Sequence, residues 1–252
     1  VKTLYLIRHG QSEANVDWHI LRDKKESTIP LTALGAEQAI EAGKTLKELL
    51  ASDSTLPKVF VSPWTRAMQT YNMISSALQF VTPTISPNIT EQHMNLVAHE
   101  DNWAKFVKFR DSGWGITEFM DVEFDGGESL HDVIIRANKF VEYLRGFPDG
   151  PIVVVSHGLF LKMMMAVIDK EDPEKLHHPK NCEIVTRSLG TSLNSYEQLN
   201  TFCTAKGYKI VADAEDYGLM KVTNSKKNKR VSLHIGLNST RQILEILAEL
   251  ES

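Results

Sequence analysis

Leu4-Tyr5-Leu6-Ile7-Arg8-His9-Gly10 runs a short apolar stretch straight into an arginine, a histidine and a glycine. A continuous apolar run rich in branched residues is the pattern of a strand covered on both faces. Side chains alternate along a strand, so Arg8 and His9 converge on one ligand only if the extended run ends near Ile7 and the backbone turns at Gly10. Ile152-Val153-Val154-Val155 repeats the arrangement, leading into Ser156-His157-Gly158, and Val59-Phe60-Val61 leads into Ser62-Pro63. A helical pattern follows each run. Ala33 to Leu50 lines up Ala36, Ala39, Ile40, Gly43, Leu46 and Leu50, Pro63 to Leu78 follows a serine, and Leu159 to Ile168 is apolar nearly all round. Strand then helix, repeated, predicts an α/β fold, a three-layer α/β/α sandwich with a mainly parallel central sheet.

Helix starts are marked by caps: Thr32 for the first, Ser62 with Pro63 at the first helical position for the second, and Ser129 with Asp132 for a helix running to about Arg145. From about residue 80 to 125 clear periodicity is lost while Pro83, Pro87, Asn88, Trp103 and Trp114 gather, which reads as an inserted cover over one end of the sheet. Beyond Pro179, Gly207 to Val211 reads as a strand, and Leu219 to Thr223 pairs with Arg230 to Ile235 across a polar turn. Ser239 and Gln242 form a capping box before a last amphipathic helix. No repeat or flexible linker divides the chain, so residues 1–252 are expected to form a single domain with a cover at about 80–125 and a C-terminal extension at about 180–252.

The 252 residues suffice for a sizeable core, and 42% hydrophobic with 24% charged residues excludes disordered and fibrous classes. With 28 Lys and Arg against 32 Asp and Glu, the net charge of −4 supplies no global field for nucleic acid or anionic membrane. Cys182 and Cys203 are too few for a disulfide framework, and a reduced, cytoplasmic setting is expected. The run Leu4 to Ile7 is too brief for a signal-peptide core, and Leu159 to Ile168 is too short to span a bilayer.

Any anion site must therefore be local. Ligands in open α/β sheets collect outside the C-terminal strand ends, which makes His9 and His157 candidates for one pocket. Arg66 lies in the opening turn of its helix, where side chains lean toward the N-terminus and free N–H groups favour an anion. Arg8, Arg66, both histidines and Asn15 thus suit a tetrahedral dianion such as phosphate. A neutral imidazole has a lone pair for attack on phosphorus, and fixed Arg and His donors stabilise the phosphoryl transition state without a metal. The leaving alkoxide needs a proton, best supplied by a carboxylic acid near the nucleophile.

Arg8-His9-Gly10 with Glu13 and Asn15, Pro30-Leu31-Thr32 with Gly35, Ser62-Pro63 with Arg66, Gln69 and Thr70, Gly126-Gly127-Glu128-Ser129, and Ser156-His157-Gly158 together resemble the histidine phosphatase superfamily, with its phosphoglycerate mutase-like fold. The resemblance spans roughly residues 2 to 170 in the family's order. It implies that His9 is transiently phosphorylated, that Arg8, Arg66 and His157 form the phosphate pocket, and that an acid from the cover, by position Glu91, protonates the leaving group. Asn15 and Ser62 would be further phosphate contacts. The chain departs from the family where Gln92-His93-Met94-Asn95 follows that acid, and it lacks the Glu-Arg-His-Tyr-Gly stretch usual in glycolytic mutases. The departure favours hydrolysis.

The expected function is therefore a metal-independent phosphomonoester hydrolase acting through a phosphohistidine on His9, with no cofactor and no metal site, on a phosphorylated small molecule or phosphoprotein. Alternatives are a phosphoglycerate mutase-type phosphotransferase and a non-catalytic domain that binds a phospho-ligand or partner. Glu100 and Asp101 rival Glu91 as the acid. Other conspicuous residues have plainer readings: Met163, Met164 and Met165 as core, His177 and His178 as surface histidines, and Lys226 to Arg230 as a solvated hairpin turn.

Overall fold

The computed structural model describes residues 2–53, 55–112, 115–189, 203, 207–212, 219–234 and 248–250. The chain divides into two compact units, residues 1–137 with 149–189, and residues 138–148 with 190–252.

The first unit is built on a five-stranded sheet of β1 (Lys2–Arg8), β2 (Lys58–Val61), β3 (Thr84–Ile85), β4 (Gly150–Ser156) and β5 (Ile184–Leu189), in the order β3-β2-β4-β1-β5. β1, β4, β2 and β3 run parallel, and β5 closes the edge antiparallel to β1. Three short apolar runs thus become the interior strands, as their burial on both faces demands. Tyr5, Ile7, Val59, Val61, Val153 and Val155 pack on one face against Leu46 of helix α2 (Ala33–Leu50) and Ala67, Tyr71 and Ile74 of α3 (Thr65–Ile74). The short helix α1 (Glu13–Val16) precedes these two. Leu4, Leu6, Phe60, Ile152 and Val154 on the opposite face are equally buried. The cover contributes α4 (Glu100–Ser112) and α5 (Ile116–Phe119), and α6 (Leu130–Arg145) starts in this unit behind Ser129, whose hydroxyl accepts from Asp132 N at 3.2 Å. Helix α7 (Gly158–Asp169) follows β4 and buries Met163, Met164 and Met165 as core residues.

Register positions the site. Arg8 pairs with Ser156, and Val61 with Val155, so β1, β2 and β4 end along one edge and release His9, Ser62 and His157 side by side. Two edge strands lay outside the sequence reading. β3 has two residues between prolines, and β5 alternates buried and open positions as an edge strand does. The second helix also begins later than expected, at Thr65 rather than Pro63, because the Ser62 hydroxyl turns to His157 instead of capping; it ends at Ile74 rather than Leu78.

In the second unit β6 (Lys209–Ala212), β7 (Leu219–Asn224) and β8 (Lys229–His234) form an antiparallel sheet in that order. The polar turn expected between the last two is present. Asn224 Oδ1 accepts the N–H of Lys226 at 3.1 Å, and Asn228 adopts φ 52°. The expected helix after Ser239 falls almost wholly outside the described residues. Among the described residues no helix is long and apolar enough to cross a membrane.

Candidate active site

The turn after β1 is made by close backbone packing. A Cβ on Gly10 would overlap the carbonyl oxygen of Gly35, and one on Gly35 would overlap that of Gln11. Thr32 caps α2 as expected, accepting Gly35 N at 3.0 Å, while its own N–H donates to Gln11 O at 2.9 Å. Helix α3 holds the other side: Thr70 Oγ1 accepts Gly10 N at 3.1 Å and Gln69 Oε1 accepts Leu31 N at 2.8 Å. The Gln and Thr of the sequence motif thus fix the loop that carries the histidine.

His9 is buried, and both ring nitrogens have partners that settle its tautomer. Nδ1 lies 2.7 Å from Gly10 O, a carbonyl that can only accept, so Nδ1 carries the proton. Nε2 receives Arg66 Nε–H at 3.0 Å, and a guanidinium can only donate, so Nε2 carries the lone pair. Burial first, then the charges of Arg66, Arg8 and His178, push the His9 pKa well below its ordinary 6.5, against the pull of the Gly10 bond. The imidazole is neutral and aimed by its own backbone.

The surrounding groups are cationic or neutral donors. Arg66 is buried, its Nη1 donating to Glu26 O at 2.6 Å and its guanidinium lying 4.7 Å from the Trp64 ring centre. Burial lowers its pKa to about 10, still a cation at neutral pH. Arg8 donates Nη1 to Pro179 O at 2.8 Å, and its buried Nε has no partner among the described residues. His157 is wholly buried, edge-on to His9 with ring centres 5.2 Å apart and edge-on to Trp64 at 4.9 Å. Its Nε2 is 2.7 Å from Ser62 Oγ, and its Nδ1 is buried with no partner among the described residues. Ser62 Oγ also accepts Trp64 N at 3.4 Å, so its proton goes to Nε2 and leaves Nδ1 as a free N–H donor. Burial and then Arg66 hold this second imidazole well below 6.5 as well.

Arg8, His9, Arg66 and His157 therefore stand together, and Arg8 Nε and His157 Nδ1, buried and unpaired among the described residues, are suited to anionic oxygens. Ser62 stands behind His157 and reaches the cluster through that ring. Asn15 is exposed at the rim, where its Oδ1 accepts Ser12 N at 3.0 Å and Asn181 Nδ2 at 3.1 Å. Glu91 has its carboxylate at the start of α7, accepting Leu159 N at 3.0 Å, Phe160 N at 3.0 Å and its neighbour Gln92 N at 3.2 Å. Arg136 fixes the segment bearing it. The guanidinium pairs with Glu128 at 2.9 Å and donates to Asn88 O and Thr90 O at 2.8 and 2.9 Å.

Three neighbours escaped the sequence reading. Asn181 donates to His9 O at 3.1 Å; His178 is exposed, yet its ring lies over Gly158 and its charge bears on His9; and Glu26 is a buried acid beside Arg66. Glu26 stood in a charged stretch, Asp23-Lys24-Lys25-Glu26, with no local signal of burial.

A family model described as histidine phosphatase superfamily (branch 1) matches residues 4–201. A 2,3-bisphosphoglycerate-dependent phosphoglycerate mutase of Bradyrhizobium sp. is 31% identical over 181 residues, covering 69% of this chain and 84% of the relative. A phosphoglycerate mutase-like protein of Arabidopsis thaliana is 29% identical over 210 residues, 75% of this chain and 65% of its own length. Among solved structures, a mycobacterial glucosyl-3-phosphoglycerate phosphatase in complex with VO3 matches with a TM-score of 0.59 at 24% identity, covering 75% of this chain and 93% of its own. A putative alpha-ribazole-5'-P phosphatase of Escherichia coli matches with a TM-score of 0.56 at 20% identity over 94% of this chain and 96% of its own. These structural likenesses carry the fold, a mainly parallel sheet of five strands flanked by helices.

Proposed function

The chain belongs to branch 1 of the histidine phosphatase superfamily, and from that premise we propose that it is a metal-independent phosphomonoester hydrolase working through a phosphohistidine on His9. The observation that carries the reading is the His9 ring, neutral, with its Nδ1 proton held by Gly10 O and its Nε2 lone pair facing Arg66. An incoming phosphate draws Arg66 from Nε2 to its own oxygens and completes the bonding of Arg8 Nε and His157 Nδ1. Nε2 then attacks phosphorus while these fixed donors take up the charge on the equatorial oxygens. The alcohol departs with a proton from a carboxyl. Glu91 and Glu26 are the two carboxyls whose charges bear on Arg66. Water attack on the phosphohistidine returns the lone pair to Nε2 and releases phosphate.

Incubation with a labelled phosphomonoester in chelator, followed by an alkaline denaturing quench and then acid treatment of a portion, tests this. The expected result is acid-labile label on the wild-type chain, none on His9→Ala, and release of inorganic phosphate. Undiminished turnover by His9→Ala overturns it. The mutase relatives support a second reading, transfer to another acceptor. With 3-phosphoglycerate as substrate, isomerised product in place of inorganic phosphate establishes that reading instead.

A further inference from the structure

We propose that His178 is a positioning residue for the phosphate site: its ring, seated on Gly158, holds the Pro179 carbonyl from which the Arg8 guanidinium hangs, and so keeps Arg8 Nε turned to the anion. The assignment rests on the phosphohistidine reading above.

Residues 178–183 form a collar around Arg8 and His9. Pro179 O accepts Arg8 Nη1 at 2.8 Å, Cys182 N donates to Arg8 O at 3.1 Å, and Asn181 Nδ2 donates to His9 O at 3.1 Å. Glu183 closes the collar on itself, its carboxylate accepting Lys180 N at 2.7 Å and its own N–H donating to Lys180 O at 3.0 Å. The main chain of Arg8 and His9 is thereby fixed at several points. The Arg8 side chain is held more sparingly, since among the described residues its hydrogen bond to Pro179 O is the only one it makes.

That carbonyl has a second donor. His178 Nδ1 lies 3.2 Å from Pro179 O, and because a carbonyl only accepts, Nδ1 carries the proton. An oxygen with two lone pairs takes both donors at once, so the imidazole and the guanidinium meet on one atom. The ring's other edge rests on the start of α7, where a Cβ on Gly158 would overlap His178 Cε1. Glycine directly after His157 is what admits the ring. Glu91 caps the same turn by accepting Leu159 N and Phe160 N, so the surface under the ring is itself tied down. His177 beside it fits the plain reading of a surface histidine, paired in solvent with Glu183 at 2.8 Å. His178 does not.

The charges that bear on the ring come from three elements: Arg8 from β1, Glu91 from the cover and Lys162 from α7. Desolvation first, then Arg8, hold its pKa below 6.5 against Glu91 and the Pro179 bond. At neutral pH the ring therefore pins the carbonyl without setting a second full charge beside Arg8. Arg8 Nε, buried and unpaired among the described residues, is left for a phosphate oxygen.

Calorimetric titration of the full chain with inorganic phosphate at neutral pH tests this, because it reads the anion site without turnover. His178 is exposed, so its variants leave the core untouched. His178→Leu, which fills the ring's space without an N–H, is expected to bind phosphate about three- to tenfold more weakly than wild type, the worth of one hydrogen bond. His178→Asn, whose amide N–H stands where Nδ1–H does, is expected to keep most of the affinity. In an Arg8→Lys background, with the guanidinium gone, His178→Leu is expected to change phosphate binding by less than about twofold. A merely structural role weakens both backgrounds alike, and that result overturns the proposal. So does a His178→Leu that binds like wild type, or a His178→Asn no better than His178→Leu. Phosphate bound as tightly by Arg8→Lys as by wild type instead defeats the phosphate pocket of the reading above, a result distinct from all of these.

Discussion

Ser62 acts at one remove. Among the described residues its hydroxyl is the only partner of His157 Nε2, and that bond makes Nδ1 the donor directed at the anion. Ser62→Ala leaves a buried nitrogen unpaired, which costs about 1–3 kcal/mol of stability, and frees the ring to hold the other tautomer. Inorganic phosphate is expected to inhibit this variant several-fold more weakly than wild type, measured as a competitive inhibition constant at neutral pH; an unchanged constant separates Ser62 from the anion site. Residues at strand ends, such as His9 and His157, were legible because an apolar run that stops at a histidine and a glycine names both the element and its exit. Glu26 was not legible. Its burial depends on residues that come over it from other parts of the chain, Arg66 and Met94, and no short window holds that information.

At the level of elements, the decisive contact is backbone on backbone. The turn at Gly10 and the first turn of α2 at Gly35 approach so closely that neither has room for a methyl group, because the neighbouring atoms are main chain and cannot rotate away. Gly35→Ala is expected to destabilise by about 1–3 kcal/mol and to displace His9, with activity lost along with stability. Gly43, in the interior of the same helix, is a contrasting case. A Cβ there meets Ile74 Cα at 3.4 Å, an ordinary contact, so Gly43→Ala gains helix propensity and is expected to raise stability by about 0.5–1 kcal/mol. Urea titration of the two variants checks the pair, and similar losses in both would remove the special role given to the Gly10 turn. The same distinction explains which elements were legible. β1, β2 and β4 are apolar on both faces and declare themselves, whereas β3 and β5 sit at sheet edges, where pairing partners rather than composition make the strand.

For the whole molecule, His9, His157 and Glu26 each contribute to how stability depends on pH near neutrality. His9 and His157 have folded pKa values well below 6.5, so on unfolding each gains a proton as pH falls through about 6.5. Their contribution is complete above that value and is lost on acidification, about 1.4 kcal/mol for each histidine per pH unit. Glu26 has the opposite effect in the same range. Its folded pKa of about 7 exceeds the ordinary 4.5, so the folded state binds the extra proton, and its penalty is absent below 4.5, grows as pH rises and is complete above about 7. Between pH 6.5 and 4.5 Glu26 opposes what the two histidines lose on acidification. Removing the carboxyl removes that opposition. Glu26→Gln is expected to be more stable than wild type by up to about 3 kcal/mol at pH 8, with the difference shrinking to nothing near pH 4.5. Urea midpoints of both proteins from pH 4.5 to 8 measure it. A difference independent of pH means that the folded chain holds Glu26 at an ordinary carboxyl pKa.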